Sequence, residues 1–94
     1  MKQRYPFQQA AVMLRSIAHP VRLSIIMLLE GQTLKVGDIQ AALGEKQSVT
    51  SQHLSAMAQR GILGRERKGN NVFYYIKKRE VLKILSCIKS CCKY

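Results

Sequence analysis

Three sets of residues in this 94-residue chain have types and spacings that could do chemistry. The first is Cys87, Cys91 and Cys92, the only cysteines, all within the last eight positions. On a helix Cys87 and Cys91 share a face, and Cys92 lies about 100° further round. Three thiolates suit a thiophilic ion such as arsenite, antimonite or Cu(I), and two copies of the chain in a dimer pool six. The same thiols suit a redox role, closing to a disulfide or a polysulfide bridge. A four-residue spacing on an intact helix is long for a direct bond, so the helix end would fray to make one. The third reading makes them small apolar fillers at a dimer seam. The second set is the run QSVTSQHLS at 47–55, where Gln47, Ser48, Val49, Ser51, Gln52 and Ser55 gather towards one side of a 3.6-residue spiral. Small hydrogen-bonding residues on a helix face allow close approach to another surface and can read base edges. The third set is Arg65, Arg67 and Lys68, beside a Gly-Asn-Asn turn, where cations meet phosphates. No histidine neighbours the cysteines in sequence, no acid–base pair stands out and no glycine-rich phosphate loop is present, so an enzyme is not expected.

The charge balance says what the polar face would meet. Sixteen Lys and Arg stand against five Asp and Glu, a formal net charge of +11. Such an excess points to a polyanion, most often nucleic acid. Apolar residues make up 47% of the chain, too many for a disordered basic tail. No stretch approaches the ~20 apolar residues of a membrane span, and the start MKQRYPFQQAAVMLR lacks the apolar run of a secretion signal. An odd number of cysteines bunched at one end is no secreted disulfide framework. The expectation is a cytoplasmic protein of one domain over 1–94, with no membrane partner.

The elements that must position these residues are legible in order. Residues 1–6 read as a loose basic arm. Ala10, Ala11, Leu14, Ile17 and Ala18 recur at helical spacing, and His19-Pro20 breaks that helix, with His19 as a cap and Pro20 opening the next. Residues 20–30 are apolar nearly all round and belong in the middle of the domain. After a short connection, in which Leu34 and Val36 pack inward as a vestigial strand or helix lead-in, Val36, Ile39, Ala42 and Leu43 mark a short helix stopped at Gly44. The polar helix from Gln47 follows, with Leu54 and Met57 on its inner side and Gly61 as its left-handed cap. Residues 62–68 and 72–76 read as strands joined by the turn at 69–71. Residues 77–94 read as a last helix with the stripe Val81, Leu82, Ile84, Leu85 and Ile88. The first and last helices are peripheral in order, and the expectation is that they pair two copies. The fold class is therefore mainly α with a small β-hairpin: a winged helix-turn-helix of five helices and a two-stranded wing, homodimeric through its first and last helices.

The stretches LRSIAHPVRLSIIMLLEG, VGDIQAALG, QSVTSQHLSAMAQRGIL and RERKGNNVFYYI stand in this order at 14–31, 36–44, 47–63 and 65–76. Together they resemble the ArsR/SmtB family of small dimeric repressors, over about two thirds of the chain. The resemblance implies a winged-helix homodimer that binds an inverted-repeat operator in double-stranded DNA and is released by an inducer, often a metal ion. It implies that Ser48, Val49, Ser51, Gln52 and Ser55 face DNA, that Arg65, Arg67 and Lys68 form the wing, and that His53 holds the helix by a hydrogen bond. It also shows departures. Many metal-sensing members carry Cys-x-Cys in the short helix, where this chain has LKVGDIQAAL. Others use Asp and His at the start of the last helix, where this chain has KKREVLKIL. Neither common family metal site carries over, which leaves the terminal cysteines as the candidate sensor. Lys46 stands where many relatives have a serine cap, so the cap is expected to shift to Gln47 or Ser48. The rivals are a redox- or sulfide-responsive repressor using the same cysteines and a non-sensing basic DNA-binding protein.

Overall fold

The computed structural model describes residues 5–92. Most of the expected basic arm, and the last two residues of the expected terminal helix, lie outside the described residues. The element order is α1 (Gln8–Ile17), α2 (Pro20–Leu28), β1 (Leu34–Lys35), α3 (Val36–Leu43), α4 (Gln47–Gln59), β2 (Leu63–Lys68), β3 (Asn71–Ile76) and α5 (Glu80–Cys91). Five helices and an antiparallel sheet match the expected class, with one addition. The sheet has three strands in the order β1-β3-β2. The two residues of β1 pair Leu34 with Tyr74 and Lys35 with Phe73, so the vestigial strand is a real edge that anchors the hairpin to the helices.

The helix α2 is central because its apolar residues cannot all face one way. Ile25 and Ile26 are fully buried and Leu29 nearly so. They meet Ile39 from α3, Leu54 and Met57 from α4, Ile62 and Leu63 at the foot of the hairpin, and Val81 and Leu85 from α5. Burying ten such side chains is the main favourable term in a chain of this size. Met27, on the remaining side of α2, stays 43% exposed, so the helix is not buried all round within one copy.

The boundaries differ from the sequence expectation where backbone hydrogen bonds decide them. The helix α5 begins at Glu80 and not at residue 77, because the Lys77 and Lys78 amides both donate to the Ile62 carbonyl, at 3.0 and 3.1 Å. That pair of bonds closes the foot of the hairpin onto the end of α4. At the other end of α5, Cys92 is extended, with φ −118° and ψ 139°. It is the C-cap of α5, its amide still donating to the Ile88 carbonyl at 2.8 Å, so the helix expected to run on through Cys92 ends at Cys91. The stripe of α5 is not bare either. Val81 and Leu85 are buried, and Leu82 and Ile84 are half-buried against the same core. Among the described residues no single helix is long and apolar enough to cross a membrane.

Candidate nucleic-acid interface

The outer side of α4 is built by default, from what its inner side must bury. Thr50, Leu54 and Met57 are all fully buried, and the Thr50 hydroxyl donates to the Lys46 carbonyl at 2.9 Å. At 100° per residue this turns Ser48, Gln52 and Gln59 outward, where all three are exposed. Ser51, Ser55 and Val49 lie at the margins of that face and are half-buried, while Gln47 is exposed at its start. Of the six helix positions read from the sequence, Ser48, Ser51, Gln52 and Ser55 fall within about 100° of one another, while Gln47 and Val49 stand at the two flanks of that strip, about 200° apart. Gln59 is a residue that reading missed. It stands one turn beyond Ser55 on the same face, and the helical spacing alone could have found it.

The helix starts at Gln47 with Lys46 as its N-cap, and no side chain caps it among the described residues. The expected shift of the cap to Gln47 or Ser48 does not occur. Lysine cannot accept a hydrogen bond, so the first-turn amides of α4 stay open to water or to an anion. Next to them an open cleft of about 370 Å³ is lined by Lys35 and Asp38, by Gln47 of α4, and by Asn70, Asn71 and Val72 of the hairpin. The start of the polar helix and the tip of the hairpin thus border the same opening, on one side of the molecule.

The hairpin explains why a basic strand can extend from the core. Leu63 and Gly64 are buried, and residues 65–68 are exposed. Gly64 pairs with Tyr75 across the strands, and the Tyr75 ring covers it so closely that a Cβ there would fall inside the ring's van der Waals envelope. This aromatic cover stiffens the foot of the hairpin. Beyond it the pleat alternates. Arg65 and Arg67 lie on one face, opposite Tyr74 and Val72. Glu66 and Lys68 lie on the other, where the Lys68 ammonium is 3.9 Å from Glu66 and 5.7 Å from the Phe73 ring centroid. The three wing cations read as one group from the sequence are thus split between two faces. Arg65 and Arg67 have no ion pair among the described residues.

Two histidines hold α4 from behind. Arg22 on α2 donates from Nε to His53 Nδ1 at 2.9 Å and from Nη1 to the Ser16 carbonyl at 3.0 Å. His19 caps α2, its Nδ1 accepting from the Val21 amide at 3.0 Å. Both roles agree with the sequence reading. The partner of His53, 31 positions away, could not be read from local spacing.

The cysteines are all exposed and free. Among the described residues no group of three or more His, Cys, Asp or Glu side chains gathers where it could hold a metal ion. The structure does not bring Cys87, Cys91 and Cys92 into one site within a single chain. Lys89, between them, reaches across to Glu30 at the end of α2, at 3.9 Å.

Residues 19–64, from the cap of α2 into the first strand of the hairpin, match the family described as bacterial regulatory protein, arsR family. The chain is 33% identical over 84 residues to the HTH-type transcriptional regulator YgaV of Escherichia coli, covering 88% of this chain and 85% of that one. Among solved structures, NolR of Sinorhizobium fredii is similar with a TM-score of 0.84 at 28% identity, covering 97% of this chain and 96% of that one. HlyU of Vibrio cholerae, in a structure described as reduced, gives 0.81 at 29% identity over 90% of each chain. The buried α2, the polar outer strip of α4 and the basic hairpin are thus the parts of a known DNA-binding frame, and this chain belongs to the ArsR family of winged helix-turn-helix transcriptional regulators.

Proposed function

We propose that the protein is a dimeric repressor that reads an inverted-repeat operator with α4 and is released from it by a change at its terminal cysteines. The DNA reading is supported by the exposed polar face of α4 and the exposed basic stretch 65–68 of the hairpin, with the start of α4 and the hairpin tip bordering one opening. In this reading Gln47, Ser48, Val49, Ser51, Gln52 and Ser55 enter the major groove, where small polar side chains meet base edges. Arg65 and Arg67 bind phosphates, and Lys68 adds charge from the other face of the wing. The net charge of +11 supplies steering and a steep salt dependence.

Dimerisation is supported by apolar surface left bare within one copy. Phe7 is 72% exposed, and Leu14 and Val12 on α1 are exposed as well. A second copy that covers α1 and the outer edge of α5 would place two α4 helices about one turn of DNA apart, about 34 Å. Such a regulator acts in the cytoplasm. The test is selection from a random duplex pool with reduced protein, followed by footprinting. The expected product is a two-fold symmetric site, with two protected half-sites one turn apart. Enrichment of an asymmetric or single half-site would contradict the dimeric reading.

For the inducer, the thiophilic-ion reading now requires cysteines from two copies, since one chain does not gather them. Arsenite, antimonite and Cu(I) are the candidates. A redox or sulfide response is the second reading. It is supported by the exposure of all three thiols and by their position at the C-terminal end of α5, where Cys92 is the cap. Replacing Cys87, Cys91 and Cys92 together by Ser is expected to leave operator affinity within about twofold and to abolish release by the effective agent. Gel-shift titration with each ion and an oxidant checks this. Undiminished release of the triple variant would remove the cysteines from the mechanism.

A further inference from the structure

We infer that Arg22, His19 and His53 form a proton-gated clasp that positions the recognition helix, so that acid loosens α4 and weakens DNA binding. This rests on the reading of α4 as the DNA-facing helix and adds to it a residue set that touches no DNA.

One guanidinium joins three helices. Arg22 belongs to α2; its Nη1 reaches the carbonyl of Ser16 at the end of α1, and its Nε reaches His53 on α4. Ser16 is itself buried, its hydroxyl donating to the Met13 carbonyl at 2.6 Å. The α1 end of the clasp is therefore fixed. At the α4 end, His53 sits between Gln52, which faces outward, and Leu54, which is buried. A shift of His53 turns the polar strip.

The two rings share a chemical constraint. His53 Nδ1 accepts from Arg22, and His19 Nδ1 accepts from the Val21 amide. Each neutral imidazole therefore carries its hydrogen on Nε2. On His53 the one atom free to take a proton from solvent is the atom that is already accepting from Arg22. Protonation of His53 converts Nδ1 from acceptor to donor, and the Arg22 bond cannot survive it. The new cation would also face the guanidinium and the His19 ring, whose centroid is 4.4 Å away at 40°.

The charged and titratable groups that act on His53 are His19, Arg22 and Glu45. From α2 come His19 and Arg22, from the α3–α4 turn comes Glu45, and α1 presents the Ser16 carbonyl to Arg22. The helix α4 has no other titratable side chain. Burial, then His19 and Arg22, hold the His53 pKa below its ordinary 6.5, while Glu45 opposes them. The clasp is therefore whole above pH 6.5 and is lost as pH falls through the lowered value.

The expected sign separates this from simple electrostatics. A protonated histidine adds positive charge, which by itself tightens binding to a polyanion. The clasp predicts the opposite. At constant ionic strength, affinity for the selected duplex should fall on the order of tenfold as pH is lowered from neutral through the His53 titration, as a hydrogen bond from a charged donor is lost. His53→Asn places an amide oxygen where Nδ1 stands and does not titrate. It should bind at neutral pH within a few fold of the parent and lose most of the acid response. As a second readout, the imidazole of the parent protein is titrated by NMR without DNA. The α4 amide resonances should move with the same midpoint as His53. Affinity that stays level or rises in acid, or an acid loss kept whole by folded His53→Asn, would overturn the clasp, as would His53 titration that leaves the α4 amides in place. Failure of any duplex to be enriched at neutral pH would instead sink the DNA reading, and the NMR titration still decides the clasp.

Discussion

Replacing Leu54 by Ala should destabilise the fold by about 2–5 kcal/mol, the range for truncating a fully buried leucine. Leu54 is fully buried on α4, between Thr50 and Met57, which are also fully buried, and against Ile25, Ile26 and Ile39 of the core. A domain of this size has a total stability of roughly 5–10 kcal/mol, so the loss is a large share of the whole. Urea unfolding followed by helix signal measures it. The contrast is Ser55→Ala, one residue on and at the margin of the outer strip, which should shift stability by no more than about 0.5 kcal/mol. Comparable losses at both positions would mean that α4 is rotated from the orientation described. The same pair separates folding from recognition. Leu54→Ala weakens binding to every duplex in proportion to the unfolded fraction, whereas Ser55→Ala spares the fold.

The second large effect concerns how affinity divides between reading and holding. Gln52 is exposed at the middle of the outer strip, and glutamine can make a bidentate contact to adenine in the major groove. Gln52→Ala should cost about 1–3 kcal/mol on the selected duplex and almost nothing on random DNA. Arg67 projects from the wing on the face shared with Arg65, without an ion pair among the described residues. Arg67→Ala should weaken both duplexes alike and reduce the slope of log affinity against log salt by about one. Lys68→Ala should do less, because its ammonium already lies near Glu66 and the Phe73 ring. Fluorescence anisotropy across a salt series gives all these quantities. A salt slope unchanged by Arg67→Ala would remove the hairpin from the interface, and a Gln52→Ala loss equal on both duplexes would demote α4 from reader to phosphate contact.

The parts of this structure that local chemistry specifies were legible in the sequence. The run from Leu23 to Leu29 is too apolar to face water, so α2 had to be central. Gly61, with φ +76°, ends α4, and Gly69, with φ +61°, turns the hairpin. Few residues other than glycine tolerate either backbone angle. The wing cations and the polar strip followed from the same periodicities. What stayed hidden depends on contacts between distant residues. The strand β1 is two residues long and exists because Tyr74 and Phe73 supply its partners. The late start of α5 is imposed by the Ile62 carbonyl, which no pattern within KKREV announces. The link from Arg22 to His53 joins α2 to α4 across 31 positions, and the pleat that separates Lys68 from Arg67 acts only once the register is fixed. The cysteines show the reverse error. Helical spacing extended α5 to the end of the chain, but the backbone is already extended at Cys92.

The central claim is that α4 and the hairpin form a DNA-reading surface, and one comparison tests it most directly. The affinity of reduced protein for its selected duplex is measured beside a scrambled duplex of equal length, at several salt concentrations. Both affinities should fall steeply with salt, and the selected duplex should keep an advantage of about a thousandfold or more. Equal affinity for the two duplexes at every salt concentration would contradict the account, leaving a basic protein that coats DNA without reading it.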